Sequence, residues 1–570
     1  MPAAQTYLDV SQGNRVFGSL YDFALPPLEI VGGEVPPSLW DPALERADEV
    51  PADIAPGLLA STIREQGGGP GGPVAVADPL AGLAGLIAVD ESGRVASGAE
   101  CPPRGCPGLN VVAAGLRELP SLVERLGDAD MLITLERPPP ESGDLLSIGV
   151  AGEGFDGLLT SDSTRLAGLV LTTDLAPTIL ERLGMTVPAE MSGNALRTES
   201  EPSAAEVESL EERLGEVRPR RGPVIGSTVL TWIALCLLAI ALLGRRAART
   251  GLALLALSAI YLPALLLAGA AIEPAEWVEA LIVGVGGPLS AVATLTLLRG
   301  YAAVAVACGV TVLAYAVDVV VGSPLTAVSL MGPNPALGVR FFGIGNELEA
   351  TLAPLVLLGA GAAIAAWMPS AEVRRDGGPA AAIAFGVACL IAMAAFAPGR
   401  FGADVGAAIV LSVGGGVAAA AALRTARRRT VVLVLAAPLG ALALLAAADL
   451  LLGGDAHLSR SVLEAGGLDE VGEVAERRLR LSAASFSKTL GSPFLFAAAA
   501  LIVLGLVFRR RIASWFEGCR PALAGFAGAI AAIAIGTLAN DSGVLLLMIG
   551  TGYVSLFAGY AWARREAAGT

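Results

Sequence analysis

The chain reads as an α/β domain, residues 1–198, joined by a charged linker, 199–222, to an all-α membrane bundle of about 11 helices, 223–570. Three observations predict this. With 54% hydrophobic residues and a mean hydropathy of +0.66, the 570-residue chain is too apolar for an ordinary globular protein. That apolarity is uneven: the chain is polar and acidic up to Gly222, then becomes a series of Ala/Leu/Val/Gly runs of membrane-spanning length. Between those runs, arginines cluster at alternate gaps.

Composition also excludes whole classes of function. A net charge of −15 argues against a nucleic-acid partner, because phosphate binding needs clustered Lys and Arg. His457 is the single histidine and Lys488 the single lysine, so no mechanism needing several imidazoles is available. No P-loop is present, and neither a cofactor nor a metal site is expected. Cys236, Cys308 and Cys389 lie inside apolar runs and Cys519 follows a basic cluster, as packing thiols do. Cys101 and Cys106, in CPPRGC, are spaced for a small disulfide loop if the domain is exported, with free thiols as the other reading.

In chain order, short β-type runs at 73–78, 86–90, 130–135 and 145–152 alternate with an amphipathic stretch at 110–127, a pattern that favours a sheet flanked by helices. In 161–196, a β-run ends at a cap: Thr173 or Asp174 can accept backbone N–H bonds, LAPTILERL is a short helix and Gly184 closes it. The start, MPAAQTYLDVSQGNRVF, lacks the basic and apolar regions of a signal peptide, so an exported domain would need an anchor and a first strand upstream of Met1. The linker, ESEPSAAEVESLEERLGEVRPRRG, has helical spacing through EVESLEERL and reads as a solvated face.

Through Asp174, Pro177, Thr178, Ile179, Leu180, Leu183, Gly184, Pro188 and Gly193, this segment resembles the closing part of the alkaline phosphatase superfamily, which includes sulfatases and phosphodiesterases. The resemblance implies an incomplete fold of that kind. Enzymes of that superfamily hold two metal ions with Asp and His ligands, whereas the first 222 residues contain no histidine and DMLITL runs into ERPPP rather than an Asp-His pair. The domain is therefore expected to be a non-catalytic relative.

The membrane half parses into eleven spans: 224–243, 251–271, 280–298, 301–321, 349–367, 379–397, 404–422, 431–451, 493–508, 521–539 and 543–561. Sixteen arginines follow odd-numbered spans, from Arg245 to Arg565. The positive-inside tendency makes those loops cytoplasmic, the first domain extracytoplasmic and the C-terminus cytoplasmic in a multi-pass cell-membrane protein. The RPRRG cluster before the first span is the one contrary signal.

With that topology the unusual polar residues gather on the outer side. The segment 331–350, MGPNPALGVRFFGIGNELEA, supplies Asn334, Arg340, Asn346, Glu347 and Glu349; APGRFGADVG supplies Arg400 and Asp404; NDSG supplies Asn540 and Asp541. The loop 453–492 adds His457 and a basic run that has the spacing of a helix lying on anionic headgroups. Ionised groups at a bilayer edge cost several kcal/mol unless paired or wet, so such a set usually marks a site. Arg340, Asn346, Glu349, Arg400, Asn540, Asn334 and His457 are candidates to bind substrate, and Glu347, Asp404 and Asp541 to act as base. Asp318 and Asp449, inside spans, read as helix caps or as part of an ion route. Around Arg340 and Asn346, the R-F-x-G-x-G-N stretch is similar to the O-antigen ligase and polymerase class, which implies a lipid-linked phosphate substrate outside the membrane.

Three readings follow: a cell-envelope enzyme whose arginines grip a lipid-linked or anionic substrate, a secondary transporter or flippase, and a binding scaffold. Membrane lipids are the expected partners throughout. The Arg-for-Lys and Ala/Gly bias suggests a GC-rich bacterial source.

Overall fold

The structure is a computed structural model, and it describes residues 3–16, 24–50, 53–67, 74–97, 108–138, 145–338, 340–451, 486–540 and 542–568. The chain divides into two compact units, Met1–Arg213 and Leu214–Thr570.

In the first unit, α1 (Ala3–Gln12) is buried along nearly its whole length. Helices α2 (Pro37–Asp48) and α3 (Leu58–Gln66) follow. Strand β1 (Val74–Ala77) lies between β2 (Ala96–Ser97) and β3 (Gly108–Val111), parallel to both, with Val76 opposite Ala96 and Asn110. Next come α4 (Leu119–Val123) and an antiparallel pair, β4 (Met131–Leu135) and β5 (Ile148–Gly152). After β6 (Leu158–Thr160) and α5 (Leu175–Arg182), β7 (Arg197–Glu199) pairs back onto β6. The described strands thus form three small sheets instead of one continuous layer. Leu59, Ile63, Ala75, Ala88 and Leu180 share one core cluster.

Before residue 161 two expectations fail, each for a local reason. The run 86–90 is not a strand: Asp78 caps a 3₁₀ segment, Pro79–Ala88, by accepting from Leu80 N at 2.7 Å, and Pro79 sits at its first position. The stretch 110–127 is not one helix, because its first residues pair with β1 and the helical part is confined to α4.

In 161–196 the cap and the helix fold as read, but the β-run before them does not: its residues form turns with a single isolated bridge, Leu166 to Leu169, leading into a 3₁₀ turn, Thr172–Asp174. Asp174 is fully buried and accepts from Ser161 Oγ at 2.7 Å, Ser163 Oγ at 2.5 Å, Leu171 N at 3.0 Å and Asn194 N at 3.0 Å. Burial raises its pKa while these bonds hold it down. Gly184 ends α5 at φ +69°, and a Cβ on Gly193 would overlap the Thr173 carbonyl. The resemblance residues therefore have structural work to do in this chain.

In the second unit, α6 (Ala204–Arg220), within which the division between units falls, continues through a π-helical segment, Arg221–Gly226, into α7 (Ser227–Leu243). Helices α8 (Arg245–Ile272), α9 (Glu276–Leu297), α10 (Tyr301–Val320), α11 (Asn346–Trp367), α12 (Ala371–Asp376), α13 (Pro379–Phe396), α14 (Val405–Leu423) and α15 (Arg427–Leu451) follow. The chain ends with α16 (Pro493–Val507), α17 (Arg509–Ser514), α18 (Arg520–Ala539) and α19 (Gly543–Ala568).

Among the described residues, nine helices are long and apolar enough to cross a membrane. All eleven sequence spans are helical, but α16 has only 15 residues, about 22 Å against a hydrocarbon core of about 30 Å. The apolar part of α15, Thr430–Leu445, is also short.

Helices α11, α14 and α18 form the centre, joined where glycines let backbones touch. A Cβ on Gly525 would meet Leu357 O at 2.5 Å, and one on Gly528 would meet Gly414 O at 2.6 Å. Cys236, Cys308, Cys389 and Cys519 are buried free thiols, whereas Cys101 and Cys106 lie outside the described residues.

Candidate functional site

One end of the second unit is built from broken backbone. Between α10 and α11, Ser323 and Asn334 take left-handed φ of +68° and +54°; between α13 and α14, Ala403 does so at +52°. Such non-glycine conformations cost of order 1–3 kcal/mol and persist only where the surroundings fix them.

The two loops are sewn together. Ile344 N donates to Gly402 O at 2.9 Å, and Gly343 N donates to Ser323 Oγ at 2.9 Å. Gly343, at φ +74°, approaches so closely that a Cβ would overlap the Gly402 carbonyl. Asp318 closes the loop's start by accepting from Leu325 N at 3.1 Å and Thr326 N at 2.8 Å, so it is a cap. The side chain of Asp449 lies outside the described residues.

This scaffold brings four of the candidate residues together. Glu349, in the first turn of α11, and Asp404, the residue before α14, are 1% and 4% exposed. Glu349 Oε1 and Asp404 Oδ1 each lie 3.0 Å from the point a Cβ on Gly406 would occupy, so both carboxylates face one spot. From the end of α18, Asn540 Nδ2 donates to Glu349 Oε2 at 2.6 Å and to Asn346 Oδ1 at 3.3 Å.

The remaining candidates separate. Glu347 is not the acid of this pair: it forms an ion pair with Arg221 at 3.1 Å, and Arg221 also donates to Gly332 O at 2.6 Å. Arg340 donates to the Ile344 carbonyl and so braces its own loop. Arg400 is exposed, its guanidinium 5.0 Å from the centroid of the Phe401 ring. Asn334 is 1% exposed, with Oδ1 unbonded among the described residues. Asp541 and His457 lie outside the described residues.

Sequence reasoning missed the role of the RPRRG cluster. Arg220 pairs with Glu216 and, at 3.7 Å, with the buried Glu279, and it donates to Pro274 O at 2.9 Å. Like Arg221, it is held in place by carboxylates, so these two arginines brace the entry to the second unit. The signal was available in acids that flank other helices at the same end: Glu279 in EPAEWVEA and Glu347 in GNELEA.

Among the described residues no group of three His, Cys, Asp or Glu side chains is placed to hold a metal ion. The long apolar helices define a multi-pass helical membrane protein. Compared with known proteins, the chain matches no protein-family model, no curated protein and no solved structure.

Proposed function

We propose that the membrane unit is a secondary transporter or flippase of the bacterial cell envelope that uses Glu349 and Asp404 as its proton- or cation-exchanging pair. The observation that carries this is their convergence on Gly406. Two buried carboxylates facing one point can share a proton or cation, and such a pair is suited to coupling with an ion gradient. Burial at 1% and 4% leaves no room for a sugar-sized group to touch either acid. That weighs against a general base acting on a lipid-linked sugar.

The cargo is an anionic, phosphate-bearing envelope lipid. Arg400 supports this as an exposed cation four residues before Asp404 on the same loop. The same observation favours a second reading, an envelope transferase in which Arg400 grips the phosphate. On either reading the acid end faces outward and the arginine end the cytoplasm, supported by the alternation of arginines. The first unit is read as an extracytoplasmic, alkaline-phosphatase-like domain that binds without turnover.

The test is lipid movement in vesicles that contain the full chain. With a fluorescent phosphatidylglycerol as probe and an imposed pH gradient, the wild-type protein is expected to accelerate exchange between leaflets. Glu349→Gln should lower that rate at least tenfold, and Glu347→Gln should leave most of it. Gradient-independent exchange, or a Glu349→Gln variant at wild-type rate, rejects the coupling role. For the transferase reading, an Arg400→Ala variant that still binds the lipid phosphate normally is the adverse result.

A further inference from the structure

At the other end of the second unit lies a second assembly of charge, about 30 Å from Glu349 along the 22 residues of α11 at about 1.5 Å per residue. Arg299, Arg374, Arg375 and Arg564 line a pocket of about 420 Å³, and among the described residues no carboxylate lines it. Arg375 pairs outside it with Asp376 at 2.8 Å, and Arg374 is held by the carbonyls of Met368 and Pro369.

Two further features line the same pocket. Arg564 lies over the Tyr301 ring, 4.3 Å from its centroid, and the buried Tyr301 hydroxyl sits beside Arg564 and Cys519. Tyr301 is 4% exposed and lines the pocket. Two helices of twenty residues also begin there: Gly300 precedes α10 and Cys519 precedes α18, and neither start has a side-chain cap. Their first-turn N–H groups carry the positive ends of the helix dipoles. Setting membrane orientation requires arginines only in the right loops. It does not require them around a cavity without acids, beside two uncapped helix starts and a buried phenol.

We propose that this pocket binds a phosphate-bearing anion, chemistry common to an acidic phospholipid headgroup and to free phosphate. Guanidinium groups match phosphate oxygens in a bidentate way, and helix starts add backbone donors. The inference is independent of the transport reading, because none of its residues belongs to the acid end.

The experiment uses the full chain in nanodiscs. One arm titrates inorganic phosphate and follows thermal unfolding; the other measures by native mass spectrometry which lipid stays bound from equal phosphatidylglycerol and phosphatidylcholine. The expected result is phosphate stabilisation, phosphatidylglycerol retention or both, weakened at least tenfold in the Arg299→Gln/Arg564→Gln double variant. Arg424→Ala, an arginine at the same end but outside this pocket, should change neither. Retention without a phosphate response identifies a lipid headgroup, and the reverse identifies free phosphate. Absence of both, or equal binding by the double variant, overturns the proposal. If the double variant fails to fold, Tyr301→Phe takes its place and must weaken binding.

Discussion

The two ends of the membrane unit treat charge in opposite ways. At the acid end, Glu349 and Asp404 are drawn inside and held by loops whose backbones touch. At the arginine end the ion pairs stay in water: Arg565 with Glu517 at 2.9 Å and Arg424 with Asp376 at 3.7 Å join partners that are all more than a third exposed. Burying a carboxylate costs several kcal/mol, so it persists only where the surrounding backbone cannot relax around it. Rigidity and buried charge therefore belong to the same end.

Placing the same substitution at both ends is the strongest way to break this comparison. A methyl on Gly332 would overlap the Thr326 carbonyl, which is backbone and cannot swing aside. Gly378, near the arginine end, has φ +101° but nothing within 4 Å of the added methyl. Gly332→Ala should cost about 3 kcal/mol or more and collapse the monodisperse peak in size-exclusion chromatography. Gly378→Ala should cost about 1–2 kcal/mol, the strain of the left-handed conformation alone. Equal losses would show that the acid end is no stiffer than its opposite.

How much of this was legible follows from the same contrast. The helices and the alternation of arginines could be read because a bilayer demands long apolar runs and leaves charge only in the gaps. Asn346, Glu349, Asp404 and Asn540 could be read as a set because each stands where such a run breaks. Their pairing could not be read. Glu347 and Glu349 are two apart on a helix and so point to different faces, yet α11 is apolar nearly all round, so no polar stripe marks which face is inside. The apolar run 86–90 misled for a related reason: periodicity alone does not separate a short buried strand from a buried helical turn, and the cap at Asp78 decided it.

The first unit holds a buried carboxylate of its own, on which the cost of burial can be tested. Asp9 is 1% exposed, accepts from Gln5 Nε2 at 2.6 Å and has Arg15 Nε at 3.6 Å; burial pushes its pKa up to about 7 despite them. From the ordinary value of 3.8 up to about 7, the folded chain holds a proton that the unfolded chain has lost. Stability is then fully present below about pH 4 and falls as pH rises toward 7, by up to about 1.4 kcal/mol per pH unit. In thermal melts of the full chain, the first unit of Asp9→Asn should lose this slope. It should exceed the wild type by a few kcal/mol at pH 8, on the order of the full shift. A wild-type slope near zero would mean that burial alone does not hold a proton in this protein.

The smallest effects lie in the ion pairs, and they sharpen the comparison most finely. Arg221 and Glu347 are 25% and 31% exposed; Arg565 and Glu517 are 44% and 66% exposed. Screening by water and salt should leave the second pair with a coupling of about 0.2–0.5 kcal/mol that vanishes in high salt. The first pair is less wet, and its arginine is also fixed by Gly332 O, so less side-chain entropy is lost in forming it. Its coupling should be nearer about 1 kcal/mol and should survive salt. Double-mutant cycles with Arg221→Met and Glu347→Gln, and with Arg565→Met and Glu517→Gln, measure both couplings from thermal unfolding. If the pair at the arginine end proves stronger, a fixed backbone is not what makes charge count at the acid end, and rigidity and burial have to be explained separately.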